Sequence, residues 1–265
     1  MPNLGKSNLP GLLKDLKFDL RVVSVISFVL FIALWESVVR AGFVAPLFLP
    51  APSMIVADFL RLYERGEIWY HITASGRRVL IGFALAGSIA VPLGILLGAS
   101  KFLKAVADPM LSILRPLPSM SWIPLSLLWL GITEAQKYSI VFMGSFAPTV
   151  LYTIEATRSV DPVVIRAALN LGASRTKLMR EVILPGALPM IVSGLKVMLG
   201  IAWTTVISAE LVAADRGLGY LIMDGREFFR TEQVLLGMAL ISITVMTIDI
   251  AFRSVEKKII PWMEG

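Results

Sequence analysis

The chain of 265 residues contains no cysteine, a single histidine (His71) and only 17% charged residues. Each shortage closes off a class of chemistry. Without cysteine there is no disulfide, thiolate metal site or cysteine nucleophile. One histidine does not make a metal cluster by itself. A Gly-x4-Gly-Lys-Ser/Thr phosphate loop is missing from the whole chain, so a nucleotide-driven process would take its ATP site from another chain. The charged content lies well below the roughly 25% of soluble domains.

Apolar length takes the place of charge. Hydrophobic residues make up 56% of the chain, and the mean hydropathy is +0.77. Residues 79–100 run without a charge, and 116–133, 138–154 and 233–248 are shorter uncharged runs. All approach the roughly 20 residues that a spanning helix needs. Two further runs, 22–39 and 189–212, carry Glu36 in the first and Lys196 and Glu210 in the second. The expectation is an all-α integral membrane protein with six transmembrane helices. The first run ends on Glu36 and Arg40 rather than on a small-residue cleavage site, which favours a retained span over a secretory signal.

Lysine and arginine set the orientation. With the N-terminus inside, fourteen basic residues fall in inside segments, among them Lys6, Lys14, Lys17, Lys101, Arg175 and Lys177. Nine fall outside, among them Arg40, Arg77, Arg78 and Arg216. Both termini are therefore expected in the cytoplasm, with 1–21 as an N-terminal segment, 22–255 as the membrane domain and 256–265 as a tail. The outside segment begins a helix at about 53–65, where Ile55, Val56, Phe59, Leu60 and Tyr63 predict an amphipathic helix at the interface. The net charge of +6 fits basic loops against anionic lipid, and no nucleic-acid partner is expected.

The polar insert at 161–185 is the most specific feature. Asp161 is a natural N-cap, Pro162 suits the first helical position, and Gly172 suits the left-handed residue that ends a helix. Ser174 then caps a second helix carrying Arg175, Lys177 and Arg180, expected to end before Pro185. Ala167 and Ala168 offer a surface that another backbone approaches closely, and Val164, Ile165 and Leu169 offer apolar anchors. This is docking geometry and not catalytic geometry.

The pattern Ala167-Ala168-x3-Gly172-x9-Val182-x-Leu184-Pro185 resembles the EAA motif of the membrane subunits of binding-protein-dependent ABC importers. Further matches to the taurine, sulfonate and nitrate branch are Arg115-Pro116-Leu117-Pro118-Ser119-Met120-Ser121-Trp122, Trp129-Leu130-Gly131-Ile132, and Ala209-Glu210-Leu211-Val212 with Arg216-Gly217-Leu218-Gly219. The ending Pro261-Trp262 is most like the taurine permeases. The motif's usual leading Glu is Arg166 here, so a salt bridge attributed to that Glu is not assumed. The resemblance implies a type I ABC importer permease fold in the bacterial inner membrane. It implies a homodimer, two cytoplasmic ATPase subunits and an extracytoplasmic solute-binding protein. ATP and magnesium would sit on the partner ATPase, with no cofactor or metal on this chain. The coupling contact would comprise Ile165, Arg166, Ala167, Ala168, Leu169, Leu171, Gly172, Ala173 and Ser174.

Polar groups and helix breaks inside the spans are the candidates for the translocation path. Pro116, Pro118 and Pro124 break one span beside Ser119, Ser121 and Trp122, and either line a path or only kink a helix for packing. Trp203, Thr204, Thr205 and Ser208 either line the same cavity or make ordinary interhelical hydrogen bonds. Glu210 reads as a gate or a structural contact to Arg216 or Arg226. Lys196 either attracts an anion or snorkels. Gly82, Gly87, Gly94 and Gly98 read as close helix packing.

A membrane enzyme would need clustered catalytic groups, yet Asp108, Glu210 and Asp249 sit near different span ends and His71 stands alone. A channel or secondary transporter would call for midplane ionisable groups or inverted repeats, and neither is visible. The expected cargo is a small anion, taurine or another organic sulfonate, with nitrate, bicarbonate or another small acid as the alternative.

Overall fold

Helix is the only regular structure among residues 20–260, which the computed structural model describes. The expectations resting on Lys6, Lys14 and Lys17, and on Pro261 and Trp262, lie outside the described residues. Among the described residues, five helices are long and apolar enough to cross a membrane. In chain order, α1 is Leu20–Arg40, α2 Pro52–Glu64, α3 Glu67–Ala99 and α4 Lys101–Leu114. After a one-turn 3-10 helix at Ser119–Trp122 come α5 Ile123–Leu130, α6 Glu134–Arg158 and α7 Pro162–Asn170. The short α8 Arg175–Lys177 leads through a π-helical segment, Leu178–Ile183, into α9 Leu184–Ala213, then α10 Leu218–Glu227 and α11 Thr231–Ile259.

The run 116–133, read as one span interrupted by its prolines, is broken so far that no single helix fills it. Pro116 and Pro118 lack N–H groups and bias their predecessors away from helix, leaving only the 3-10 turn and the eight-residue α5. A crossing is nevertheless made there. Gly82, Gly94 and Gly98 of α3 face Val141, Thr153 and Thr157 of α6, each partner 59 residues further along (141−82, 153−94, 157−98). A constant difference means that α3 and α6 run parallel. The chain between them must return to the side from which α3 started, and α4, the 3-10 turn and α5 together carry it back. The third crossing is thus composite and begins at Lys101 instead of Pro116.

Small residues let these helices touch. A Cβ on Gly94 would lie 2.5 Å from Thr153 Cβ and 2.9 Å from the Val150 carbonyl oxygen, so the backbones meet as in small-xxx-small membrane packing. Gly87 does not share this role, since its nearest neighbour, Leu195, would be 3.9 Å away. Gly144 and Tyr152 of α6, and Val160 just beyond its end, meet Thr205, Gly194 and Gly186 of α9, a descending order that makes α9 antiparallel to α6. A core of Leu62, Val79, Val141, Trp203, Val206, Leu218 and Leu240 joins α2, α3, α6, α9, α10 and α11.

Helix α2 differs from the simple interfacial reading. Ile55, Phe59 and Leu62 pack into that core, while Val56, Leu60 and Tyr63 remain exposed. Its first turn explains Glu36. That carboxylate accepts from Ser53 N (3.0 Å) and Ser53 Oγ (2.7 Å) and pairs with Arg40, so an acid at the end of α1 satisfies the donors at the start of α2.

Candidate functional site

The polar insert forms the hairpin that its local signals predict, with one correction. Asp161 accepts from Val163 N at 2.7 Å, and Ser174 accepts from Lys177 N at 3.4 Å. Gly172 has φ +79°, and Ala173 N donates to Ala168 O at 3.0 Å, closing α7 in a Schellman-type end. The second helix does not stop before Pro185. It continues through the π-helical turn Leu178–Ile183 into α9, and the widened turn sits where proline removes the regular hydrogen bond. The second arm of the hairpin is therefore helically continuous with a spanning helix.

Its surface is unburied. Val163, Val164, Leu169 and Leu171 are exposed, Leu171 at 89%. Arg166, Ala167, Gly172 and Ser174 are exposed, and Ala168 and Ala173 half-buried. Ile165 instead turns inward against the cluster of Ala156, Val160, Ala187 and Ile191. The apolar anchors are thus divided, one holding the hairpin to its own protein and the rest left free.

The path residues are brought together only in part. A cavity of about 280 Å³ between the composite crossing and α6 is lined by Arg115, Ser119, Trp122, Gly144 and Ile201 among others. Ser119 Oγ lies 3.4 Å from Thr205 Oγ1, joining the broken crossing to α9. Pro116, Pro118 and Ser121 are exposed beside it. Trp203 does not join this set. It is 2% exposed in the main core, because one residue along a helix turns the side chain about 100° away from Thr204. Thr204 is exposed and Ser208 half-buried, and their hydroxyls donate to Ile201 O and Thr204 O. Lys196 neither stands free nor only snorkels, since its Nζ lies 3.4 Å from Asp249 of α11.

Glu210 has a partner that the sequence reading did not choose. Arg216 and Arg226 were the candidates, but the bond is made by Arg78 Nη1 at 2.9 Å. Both side chains are fully buried. Ser75 Oγ donates to the same carboxylate at 2.8 and 2.9 Å, and Gly219 N at 2.9 Å. Arg78 also holds Glu134 through Nε at 2.9 Å and Nη2 at 2.5 Å, and donates to the Arg216 carbonyl at 2.5 Å. The lone histidine belongs here too, with Nδ1 accepting from Gly217 N at 3.1 Å, while Ser75 Oγ accepts from Leu218 N at 2.8 Å. Three successive N–H groups at the start of α10 are therefore satisfied by His71, Ser75 and Glu210, the carboxylate also meeting the helix dipole. Gly217, at φ +121°, is the residue type this approach requires, because a Cβ there would strike the Glu210 carboxylate. The arrangement ties α3, α6, α9 and α10 together and presents no nucleophile or acid-base pair.

Comparison with known proteins gives a consistent picture. Residues 90–265 match the family described as binding-protein-dependent transport system inner membrane component. The taurine transport system permease protein of Escherichia coli is 34% identical over 245 residues, covering 91% of this chain and 89% of that one. The nitrate import permease protein of Synechocystis is 27% identical over 190 residues, covering 72% and 69%. Among solved structures, the MetNI methionine ABC transporter in inward-facing form superposes with a TM-score of 0.60 at 21% identity, over 76% of this chain and 97% of that one.

Proposed function

The chain belongs to the family of inner membrane components of binding-protein-dependent transport systems, and from that premise we propose that it imports a small organic sulfonate, with taurine as the leading candidate. As an ABC importer permease it works with an ATPase and a binding protein. In the proposed complex two copies of this chain form the path, and each receives one ATPase subunit at Ile165 to Ser174. ATP and magnesium stay on those subunits. The N- and C-termini and the α7 hairpin lie on the cytoplasmic side.

The observation that carries this reading is the capped hairpin with Val163, Val164, Leu169 and Leu171 unburied. Apolar side chains in that number on a polar elbow call for a covering partner. Closure of the ATPase pair would push the hairpin, and the unbroken connection from Arg175 to Ala213 would carry the push into α9. Alternating access follows if the two states differ in how they hold the hairpin. The sulfonate assignment is supported by similarity to the taurine permease, and nitrate is the second candidate through the nitrate relative. Glu210 is given a structural role, because its charge is already spent on Arg78.

The test is to purify the tagged permease from its native membrane, identify the ATPase that accompanies it, and reconstitute the complex with its binding protein. ATP-dependent uptake of taurine, lost in Leu171→Asp together with ATPase retention, is the expected result. Uptake of nitrate in preference to taurine would move the substrate, and full coupling in Leu171→Asp would remove the docking role.

A further inference from the structure

Two adjoining cavities on the side opposite the hairpin have no part in the transport reading. One is an open groove of about 690 Å³ between α3 and α11, with Gly76, Leu80, Ile81, Ile243 and Ile248 in its lining. The other, of about 250 Å³, is a cup formed by Tyr70, Thr73, Ala74, Arg77 and Arg216. Thr73 and Arg77 line both, so the cup is the polar head of the apolar groove.

Their depth matches a lipid. Arg77 and Arg78 are the last charges before the uncharged run 79–100, which puts the cup at the edge of the hydrocarbon. Trp69 and Tyr70, 60% and 50% exposed, stand where aromatic side chains mark the membrane interface. From Arg77 to Ile81 the helix rises about 6 Å, so the groove enters the upper part of one leaflet of a core roughly 30 Å thick, while Trp69 and Tyr70 stand above it among the headgroups.

The charges favour an anion. Facing the cup and its surroundings are Arg77, Arg78, Arg216 and Lys137 against Glu134, Glu210 and Asp215. Arg78 takes the short bonds to Glu134 and Glu210, leaving Arg77 at 3.5 Å and Arg216 at 3.7 Å from Glu134. Arg216 Nε has no hydrogen-bond acceptor, although Asp215 lies 3.9 Å away. Arg216 Nη1 donates to Tyr70 Oη at 3.5 Å, and the remaining donors of the two guanidiniums, with the Tyr70 hydroxyl proton, suit a phosphate. Gly76 adds an independent sign. Glycine inside a helix is destabilising relative to alanine, yet a Cβ at Gly76 would meet nothing within 4 Å. Internal packing does not require the glycine, and its missing side chain keeps the groove open.

We propose that the cup and groove bind an anionic phospholipid from the leaflet opposite the α7 hairpin, its phosphate between Arg77 and Arg216 and one acyl chain along Gly76, Leu80 and Ile248. The test is native mass spectrometry of the detergent-purified full chain titrated with dioleoylphosphatidylglycerol or dioleoylphosphatidylcholine. The wild type is expected to retain the anionic lipid at least tenfold more tightly. Gly76→Phe, which fills open space, abolishes retention. Arg77→Gln, on an exposed side chain, reduces the anionic lipid to the level of the zwitterionic one. Equal retention of both lipids by the wild type, or unchanged retention in Gly76→Phe, overturns the proposal. So does displacement by millimolar inorganic phosphate, which would indicate an anion site without a lipid, or efficient cross-linking of Leu80→Cys to a second copy, which would mean the groove is covered by protein.

Discussion

Replacing Glu210 by alanine tests the buried network most directly. The carboxylate is fully buried and accepts from Ser75 Oγ, Arg78 Nη1 and Gly219 N. Alanine leaves all three donors short of an acceptor and strands part of a buried charge, a change that costs about 3–5 kcal/mol. Arg78 keeps Glu134 and the Arg216 carbonyl, so the lower end applies. At roughly 2–4 °C per kcal/mol for a chain of this size, the midpoint of thermal unfolding in detergent should fall by roughly 10 °C. Glu134→Ala is the reference. Its carboxylate is 27% exposed, solvent replaces part of what is lost, and about 1 kcal/mol is expected. The double variant Arg78→Met/Glu210→Leu should recover only the part owed to the stranded charge, because Ser75 Oγ and Gly219 N still lack their acceptor and Glu134 loses its donor. A shift below about 2 °C for Glu210→Ala would refute the assignment of Glu210 as the tie between α3, α9 and α10.

Gly94→Val forces a side chain into Thr153 and the Val150 carbonyl, and overpacking should destabilise by about 1–3 kcal/mol or more, read as reduced yield and a lower unfolding midpoint. At Gly172, φ +79° with open space around it makes backbone strain the whole effect. Gly172→Val should add about 1–2 kcal/mol of local strain and lower ATP-coupled uptake while insertion persists, and Gly172→Asn should be tolerated, as measured in reconstituted vesicles. Trp203→Ala should destabilise by about 3–5 kcal/mol, whereas Trp203→Phe should leave substrate preference unchanged, because the ring fills core space and its Nε1 has no partner. Asp58 is buried, one carboxylate oxygen lacks a hydrogen bond, and burial pushes its pKa up against the opposing pull of Arg61. A pKa higher in the folded state gives stability that is present below the unfolded value and lost as pH rises through the folded one; Asp58→Asn should flatten this part of the stability profile above pH 4.

The hairpin was legible because its signals are local. Asp161, Pro162, Gly172 and Ser174 act on donors, carbonyls or dihedrals within five residues of themselves. Long apolar runs with few or no charges located α1, α3, α6, α9 and α11 for the same reason. The Arg78 network was hidden because Arg78 and Glu210 are 132 residues apart, and a basic residue just before an apolar run reads equally well as a loop charge. Trp203 was misplaced by adjacency, since neighbours in sequence point to different faces of a helix. The continuity of α8 into α9 was missed because proline signals a break, and only the structure shows that break absorbed by a widened turn. Glu36 was legible as an interruption but not as a cap, its partner Ser53 being 17 residues on.

The two ends of the molecule are held differently, and this bears on how a push would travel. At one end, Arg78, Glu134, Glu210 and the start of α10 cross-tie four helices with buried and part-buried bonds of 2.5–2.9 Å. At the opposite end the hairpin keeps Ile165 against its own core and leaves its other anchors free. Helix α9 connects the two, with the π-helical turn at one end and Glu210 near the other. In the proposed import cycle the tied end is the pivot and the hairpin is the lever, since displacement grows with distance from the fixed point. Loosening the tie should then lower the transport obtained per ATP more than it lowers hydrolysis. Glu210→Gln, which keeps shape and one acceptor oxygen, separates these quantities, and an unchanged ratio of uptake to hydrolysis in that variant would place the pivot elsewhere.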